Sequence, residues 1–104
     1  MVLDKKGKGE EFKHALDQEL VFKANIKRNK VVGKWVAENY LELSNEEIDV
    51  FVEKTVDSDF EEKGYEDVIR FFKKEFHLKN VSFDEIKIRK KMEDEFLIAY
   101  DELK

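Results

Sequence analysis

Apolar residues recur along the chain at intervals of three and four, the spacing that places side chains on one face of an α-helix. Phe12, Leu16 and Leu20 begin such a stripe, and Ala24, Val31, Val32, Trp35 and Val36 continue it, which predicts a long first helix over about 10–42. Ser44 followed by Glu47 is a capping box, in which the serine hydroxyl accepts an early backbone N–H and the glutamate reaches back to the serine N–H. A second helix is therefore expected over 45–63, with Ile48, Phe51, Val52, Thr55, Val56 and Phe60 on one face and Gly64 placed to close it in the left-handed conformation. Glu66 and Asp67 favour the first turn of a third helix over 65–78 through the helix macrodipole, and Val68, Ile69, Phe72 and Phe76 supply its inner stripe. Ser82 with Glu85 reads as a second capping box, opening a fourth helix over 83–103 whose inner face carries Ile86, Met92, Phe96, Ala99, Tyr100 and Leu103.

Ahead of this series, Lys5, Lys6, Gly7, Lys8 and Gly9 offer nothing to bury, and each glycine costs about 1 kcal/mol in a helix interior relative to Ala. The organisation predicted is a flexible arm over 1–9 and a single domain over 10–104, an all-α four-helix bundle with short links. Composition supports this. Proline is absent and glycine occurs only at positions 7, 9, 33 and 64, too little punctuation for many short strands and tight turns. A chain of 104 residues suits one core, and 41% hydrophobic against 43% charged residues suits helices with heavily charged outer faces. The start of the chain lacks the apolar stretch of a signal peptide. The longest apolar run, Phe96 to Tyr100, is far short of the roughly 20 residues of a membrane helix, so membrane insertion is not expected. Without cysteine there is no disulfide framework and no thiolate chemistry, which fits a cytoplasmic protein.

The residues also argue against catalysis. The run Asp57, Ser58, Asp59, Phe60, Glu61, Glu62 opens like a calcium loop. However, Glu62 stands sixth, where the turn needs Gly, and Val68 twelfth, where Glu is needed. Gly7-Lys8-Gly9 lacks the second Gly, Lys and Ser/Thr of a phosphate-binding loop. A zinc site could draw only on His14, His77 and carboxylates, with no ligand spacing to recommend it. The expectation is a non-enzyme with no catalytic residues, no metal and no cofactor.

Charge is more informative. The formal net charge is -5, yet the segment from Leu20 to Ala37 contains Lys23, Lys27, Arg28, Lys30 and Lys34 and no acidic residue. Two readings stay open: a basic docking face flanked by Phe22 and Trp35, or a positive helix that pairs with acidic neighbours inside the bundle. The acidic total argues against a general nucleic-acid binder, whereas a nucleotide, or a nucleic acid held by the stripe alone, remains an alternative to a protein partner, as does a helical adaptor role.

At this segment the sequence becomes recognisable. Asp17-Gln18-Glu19-Leu20, Phe22-Lys23, Arg28-Asn29-Lys30, Gly33 and Trp35 together resemble the zeta subunit family of alphaproteobacterial ATP synthases. Asp59-Phe60-Glu61-Glu62, Gly64, Glu66-Asp67-Val68 and Arg70 resemble its second signature, and Ile88-Arg89 with Met92 its C-terminal helix, so the resemblance covers nearly the whole chain. It implies a four-helix bundle that anchors an ATPase-inhibiting N-terminal segment. That segment enters an α/β interface of the enzyme's soluble catalytic head, near the central stalk, and becomes helical there. The protein would be cytoplasmic, peripheral to the inner membrane when bound.

By the same resemblance the inhibitory segment runs through Leu3, Asp4, Lys6, Phe12, Ala15, Leu16, Asp17 and Leu20. Leu3-Asp4 stands where the family has Phe-Asp and Lys6 where it has Arg, while Ala15 and Asp17 match it. Gly7 and Gly9 stand where Glu and Ala are common, Glu10 where there is Phe, and His14 replaces an aromatic residue. At about 1 kcal/mol each, the glycines weaken an inserted helix by roughly 2 kcal/mol, or about thirtyfold in affinity.

Overall fold

The structure is a computed structural model that describes residues 17–59 and 64–104. Among these residues there are four α-helices and no strand: α1 (Gln18–Asn39), α2 (Asn45–Asp57), α3 (Glu66–Leu78) and α4 (Glu85–Leu103). The expected arm over 1–9 and the expected beginning of the first helix lie outside the described residues. At Asp17 the backbone is extended (φ -87°, ψ 119°), so a helix continuous through this point, as the 10–42 stripe predicts, does not form. The Asp17 carboxylate accepts from the N–H groups of Glu19 (2.9 Å) and Leu20 (3.4 Å), and this cap starts α1 one residue later. At the other end α1 stops at Asn39, and Glu42 takes a left-handed φ of 52° to turn the chain into α2.

α2 opens at the predicted capping box: Glu47 N–H donates to Ser44 Oγ (3.3 Å) and Ser44 N–H to Glu47 Oε1 (2.9 Å). The bond from the Ser44 N–H, with the Ser44 hydroxyl beside it, holds the Glu47 carboxyl below its ordinary pKa. The helix ends at Asp57 rather than at 63, with Ser58 as its C-cap donating back to Lys54 and Thr55 carbonyls, and Phe60 lies outside the described residues. Gly64 does adopt positive φ (80°), but it leads into α3 instead of closing α2. α3 follows the expected stripe, with Val68, Ile69, Phe72 and Phe76 all buried.

α4 corrects the sequence reading twice. Its cap is Asp84, whose Oδ1 accepts from Lys87 N–H (3.2 Å), not Ser82 with Glu85. Glu85 instead forms ion pairs with Lys73 (3.3 Å) and Arg89 (2.9 Å). Ile88, Met92 and Ala99 form the buried stripe, while Ile86 is 84% exposed, because two residues of helix separate Ile86 from Ile88 by about 200°. In α1, Val31 likewise faces outward, 39% exposed.

α1 is the spine: α2 and α4 pack along it, and α3 packs on α2 and α4. Phe72 stacks on Phe51 (6.0 Å between centroids), and Phe76 meets Tyr40 (5.4 Å) and, edge-on, Phe83 (4.9 Å), so phenylalanines of α2 and α3 pack together in a core that α1 and α4 complete with Val32, Val36, Ile88 and Met92. None of the described helices is long and apolar enough to cross a membrane.

Two polar features fix α2 against α1. Gly33 lies so close to α2 that a Cβ there would meet Thr55 Oγ1 at 2.8 Å, and that hydroxyl is fully buried and donates to the Phe51 carbonyl (2.8 Å). One turn earlier, the Arg28 guanidinium is buried. Its Nη2 reaches Asp59 Oδ2 at 3.5 Å, its Nε donates to Asn29 Oδ1 (2.7 Å), and Asn29 Nδ2 donates to Asp59 Oδ2 (2.9 Å). Burial lowers the Arg28 pKa, with Asp59 acting in the opposite direction.

Gly33→Ala gains about 1 kcal/mol of helix propensity but must displace Thr55, at an overpacking cost of about 1–3 kcal/mol. Denaturant unfolding should show a net loss, and adding Thr55→Ala should reveal favourable coupling between the two substitutions. Asp59→Ala leaves Arg28 buried without its counter-charge and should cost about 3 kcal/mol, whereas Arg28→Met with Asp59→Ala should be less destabilising than Asp59→Ala alone. Equal losses for the single and double variants in the same assay would show that charge burial is not the cause.

Candidate functional site

Three residues of α1 at helical spacing, Val21, Asn25 and Arg28, face three of α4, Glu93, Phe96 and Leu97, across a cleft of about 400 Å³ that Gly64 and Tyr65 close at one end. The helices run antiparallel here. Asp17 N–H donates to Tyr100 Oη (3.1 Å), Arg28 lies over the Phe96 ring (6.0 Å), and Lys91 lies over Trp35 (5.2 Å).

Arg28 forms the floor. Besides Asp59 and Asn29 it donates to Asn25 Oδ1 (3.2 Å), and it lies over the ring of Tyr65 (5.5 Å). Tyr65 donates its hydroxyl to Glu93 Oε2 (2.7 Å), and desolvation together with Glu93 raises its pKa. On the far side of Tyr65, Arg89 grips Glu66 with two parallel bonds (2.7 and 2.9 Å). Those bonds hold the Glu66 carboxyl below its ordinary range and raise the Arg89 pKa. The cleft therefore offers a buried cation, already compensated, beneath aromatic and aliphatic walls. That chemistry suits docking of an apolar side chain or segment better than proton transfer. A second cleft of about 350 Å³, between α2 and α3, is lined by mixed charges including Glu46, Lys54, Glu75 and Lys79, with no buried ion among them.

Leu3, Asp4, Lys6, Phe12, Ala15 and Leu16 lie outside the described residues, as does His14. Asp17 is the α1 cap and Leu20, half-buried, sits in the first turn. The basic stripe separates into two parts. Lys23, Lys27, Lys30 and Lys34, at i, i+4, i+7 and i+11, share the outer face of α1, whereas Arg28 is turned into the bundle. A docking face built from all five is thus excluded, because the guanidinium is spent on Asp59. Lys27 pairs with Glu102 of α4 and Lys23 with Glu19 of its own helix (3.5 Å), while Lys30 and Lys34 make no ion pair among the described residues. The two aromatic residues expected beside the stripe diverge. Phe22 is 64% exposed, while Trp35 is half-buried against Tyr40 (5.2 Å, edge-on).

Asn25, Tyr65, Glu93 and Leu97 were not singled out by sequence. One signal was available: Asn25, Arg28 and Asn29 interrupt the inner face of α1 with polar groups, which burial would force into partnership. Among the described residues no group of three or more His, Asp or Glu side chains is arranged to hold a metal ion.

No curated protein and no solved structure shows a significant match to the chain. A family model does: that of the ATPase inhibitor subunit zeta matches residues 1–102. The match takes in the N-terminal segment, the Arg28–Asn29–Asp59 cluster, the glycine at the α1–α2 contact and all four helices, and on its strength the chain belongs to the ATPase inhibitor subunit zeta family.

Proposed function

We propose that this protein is a non-enzymatic regulator that binds the soluble catalytic head of ATP synthase and inhibits ATP hydrolysis by inserting its N-terminal segment, as a helix, at an α/β interface. The family match over residues 1–102 carries this reading, because it spans the N-terminal segment as well as the bundle. The segment has the chemistry of an element that orders on binding. Lys5 to Gly9 is polar and glycine-containing, and the apolar residues Phe12, Leu16 and Leu20 follow at single-turn spacing. Inserted between moving subunits, such a helix obstructs rotation mechanically and needs no reacting group. The bundle, with its continuous apolar core, serves as the rigid anchor outside. Leu3, Asp4, Lys6, Phe12, Ala15, Leu16, Asp17 and Leu20 are the contact residues in this reading, and the protein acts in the cytoplasm at the membrane-bound enzyme.

Titrating the purified protein into a cognate catalytic head should lower the hydrolysis rate saturably, and an unchanged rate at micromolar excess would refute inhibition. The glycines provide a second measurement. Gly7→Glu with Gly9→Ala restores about 2 kcal/mol of helix propensity and should raise inhibitory potency by up to about thirtyfold. Unchanged potency in that variant would count against a helical bound form.

A further inference from the structure

α1 outruns its neighbours. Asp59, just past the end of α2, already meets Asn29, and Tyr65, just before α3, already covers Arg28. Among the described residues, the stretch of α1 from Gln18 to about Arg28 is therefore accompanied by α4 alone. The cleft lies on the inward side of this two-helix end, where α2 and α3 would otherwise continue the core. Its apolar walls are open: Leu97 is 65% exposed, and Val21 and Phe96 are only partly buried.

The chain itself supplies an occupant. Residues 1–16 join the bundle at Asp17, which Tyr100 holds at the rim of this same end. Val21 is about 6 Å along the helix axis from that point, and Arg28 about 16 Å. Phe12, five residues upstream of Asp17, can reach up to about 17 Å from it, so the segment can double back along the whole cleft. Phe12 and Leu16, four apart, form an apolar pair for the open walls, and Lys5, Lys6 and Lys8 bring positive charge towards the exposed Glu93 on the rim. A tether this short gives an effective concentration in the millimolar range, so contacts too weak to hold a separate molecule suffice.

We propose that the N-terminal segment folds back through Phe12 and Leu16 onto the cleft between α1 and α4, giving a closed state that withholds it from the ATPase. The regulatory half of this inference rests on the function proposed above, and the fold-back itself does not. A closed state lowers the apparent affinity for the target in proportion to the fraction of molecules that are open.

The chain contains no cysteine, so Lys8→Cys creates a single thiol for a nitroxide label on the full-length protein. The label should broaden the amide signals of Val21, Asn25 and Leu97 and leave those of Val50 and Leu78, on α2 and at the end of α3, sharp. The broadening should persist unchanged on tenfold dilution. Leu97→Glu, at an exposed position, and separately Phe12→Ser, in the segment itself, should each abolish it without changing the unfolding midpoint. Leu97→Glu should also raise inhibitory potency about fivefold by releasing the segment. Absence of selective broadening overturns the fold-back, and so does broadening that falls with dilution, which would place a second copy in the cleft. Broadening in a protein that leaves ATP hydrolysis untouched supports the closed state while removing its proposed target. Inhibition without broadening does the reverse.

Discussion

The bundle is organised around a charge that water cannot reach. Withdrawing a guanidinium from solvent costs several kcal/mol, and that cost is offset only where geometry supplies counter-charge and acceptors. Asp59, Asn29 and Asn25 do so for Arg28, and the rings of Tyr65 and Phe96 cover its faces. Those partners come from the middle of α1, the segment after α2, the segment before α3 and the outer half of α4. One side chain therefore registers all four helices at a single level of the bundle. The apolar core beyond this level supplies most of the burial but little directionality, because apolar contacts tolerate sliding and rotation that a fixed set of hydrogen bonds does not.

Gly33 performs the complementary task for distance. The absent Cβ lets α1 approach α2 until the backbone touches Thr55, whose hydroxyl oxygen faces Gly33 while its proton is donated back to the Phe51 carbonyl of its own helix. Orientation is set at Arg28 and spacing at Gly33, within two turns of one helix. Arg28, Asn29, Gly33 and Asp59 therefore act as one unit in seating α2 on α1.

Legibility in the sequence followed the locality of the physics. The Ser44–Glu47 capping box and the α3 stripe of Val68, Ile69, Phe72 and Phe76 depend on neighbours within a turn or two, and both formed as read. Ser82–Glu85 has the same local pattern, yet Asp84 caps α4 because Glu85 is drawn into ion pairs with Lys73 on α3 and Arg89, a tertiary competitor that periodicity does not encode. Ile86 then rotated out and Ile88 in. Arg28 is the clearest failure. By residue type it belonged with four lysines, and only the long-range arrival of Asp59, 31 positions away, separates it from them. The cleft was illegible for the same reason, since Tyr65 and Glu93 meet across 28 positions.

The unequal helix lengths give the molecule two ends of different durability. Where four helices meet, backbone hydrogen bonds are shielded by Phe72, Phe76 and Met92, none of which reaches solvent. Where α1 and α4 continue as a pair, the α4 residues that meet α1, Tyr100 and Phe96, are only partly buried. Amide exchange with solvent should therefore run faster over the first turn of α1, from Gln18 to Val21, than from Arg28 onward. The thin end can fray by a turn or more under load while the thick end keeps its shape. The compliant end is the one from which the N-terminal segment departs at Asp17, so the regulator proposed above would have its give next to the segment it presents.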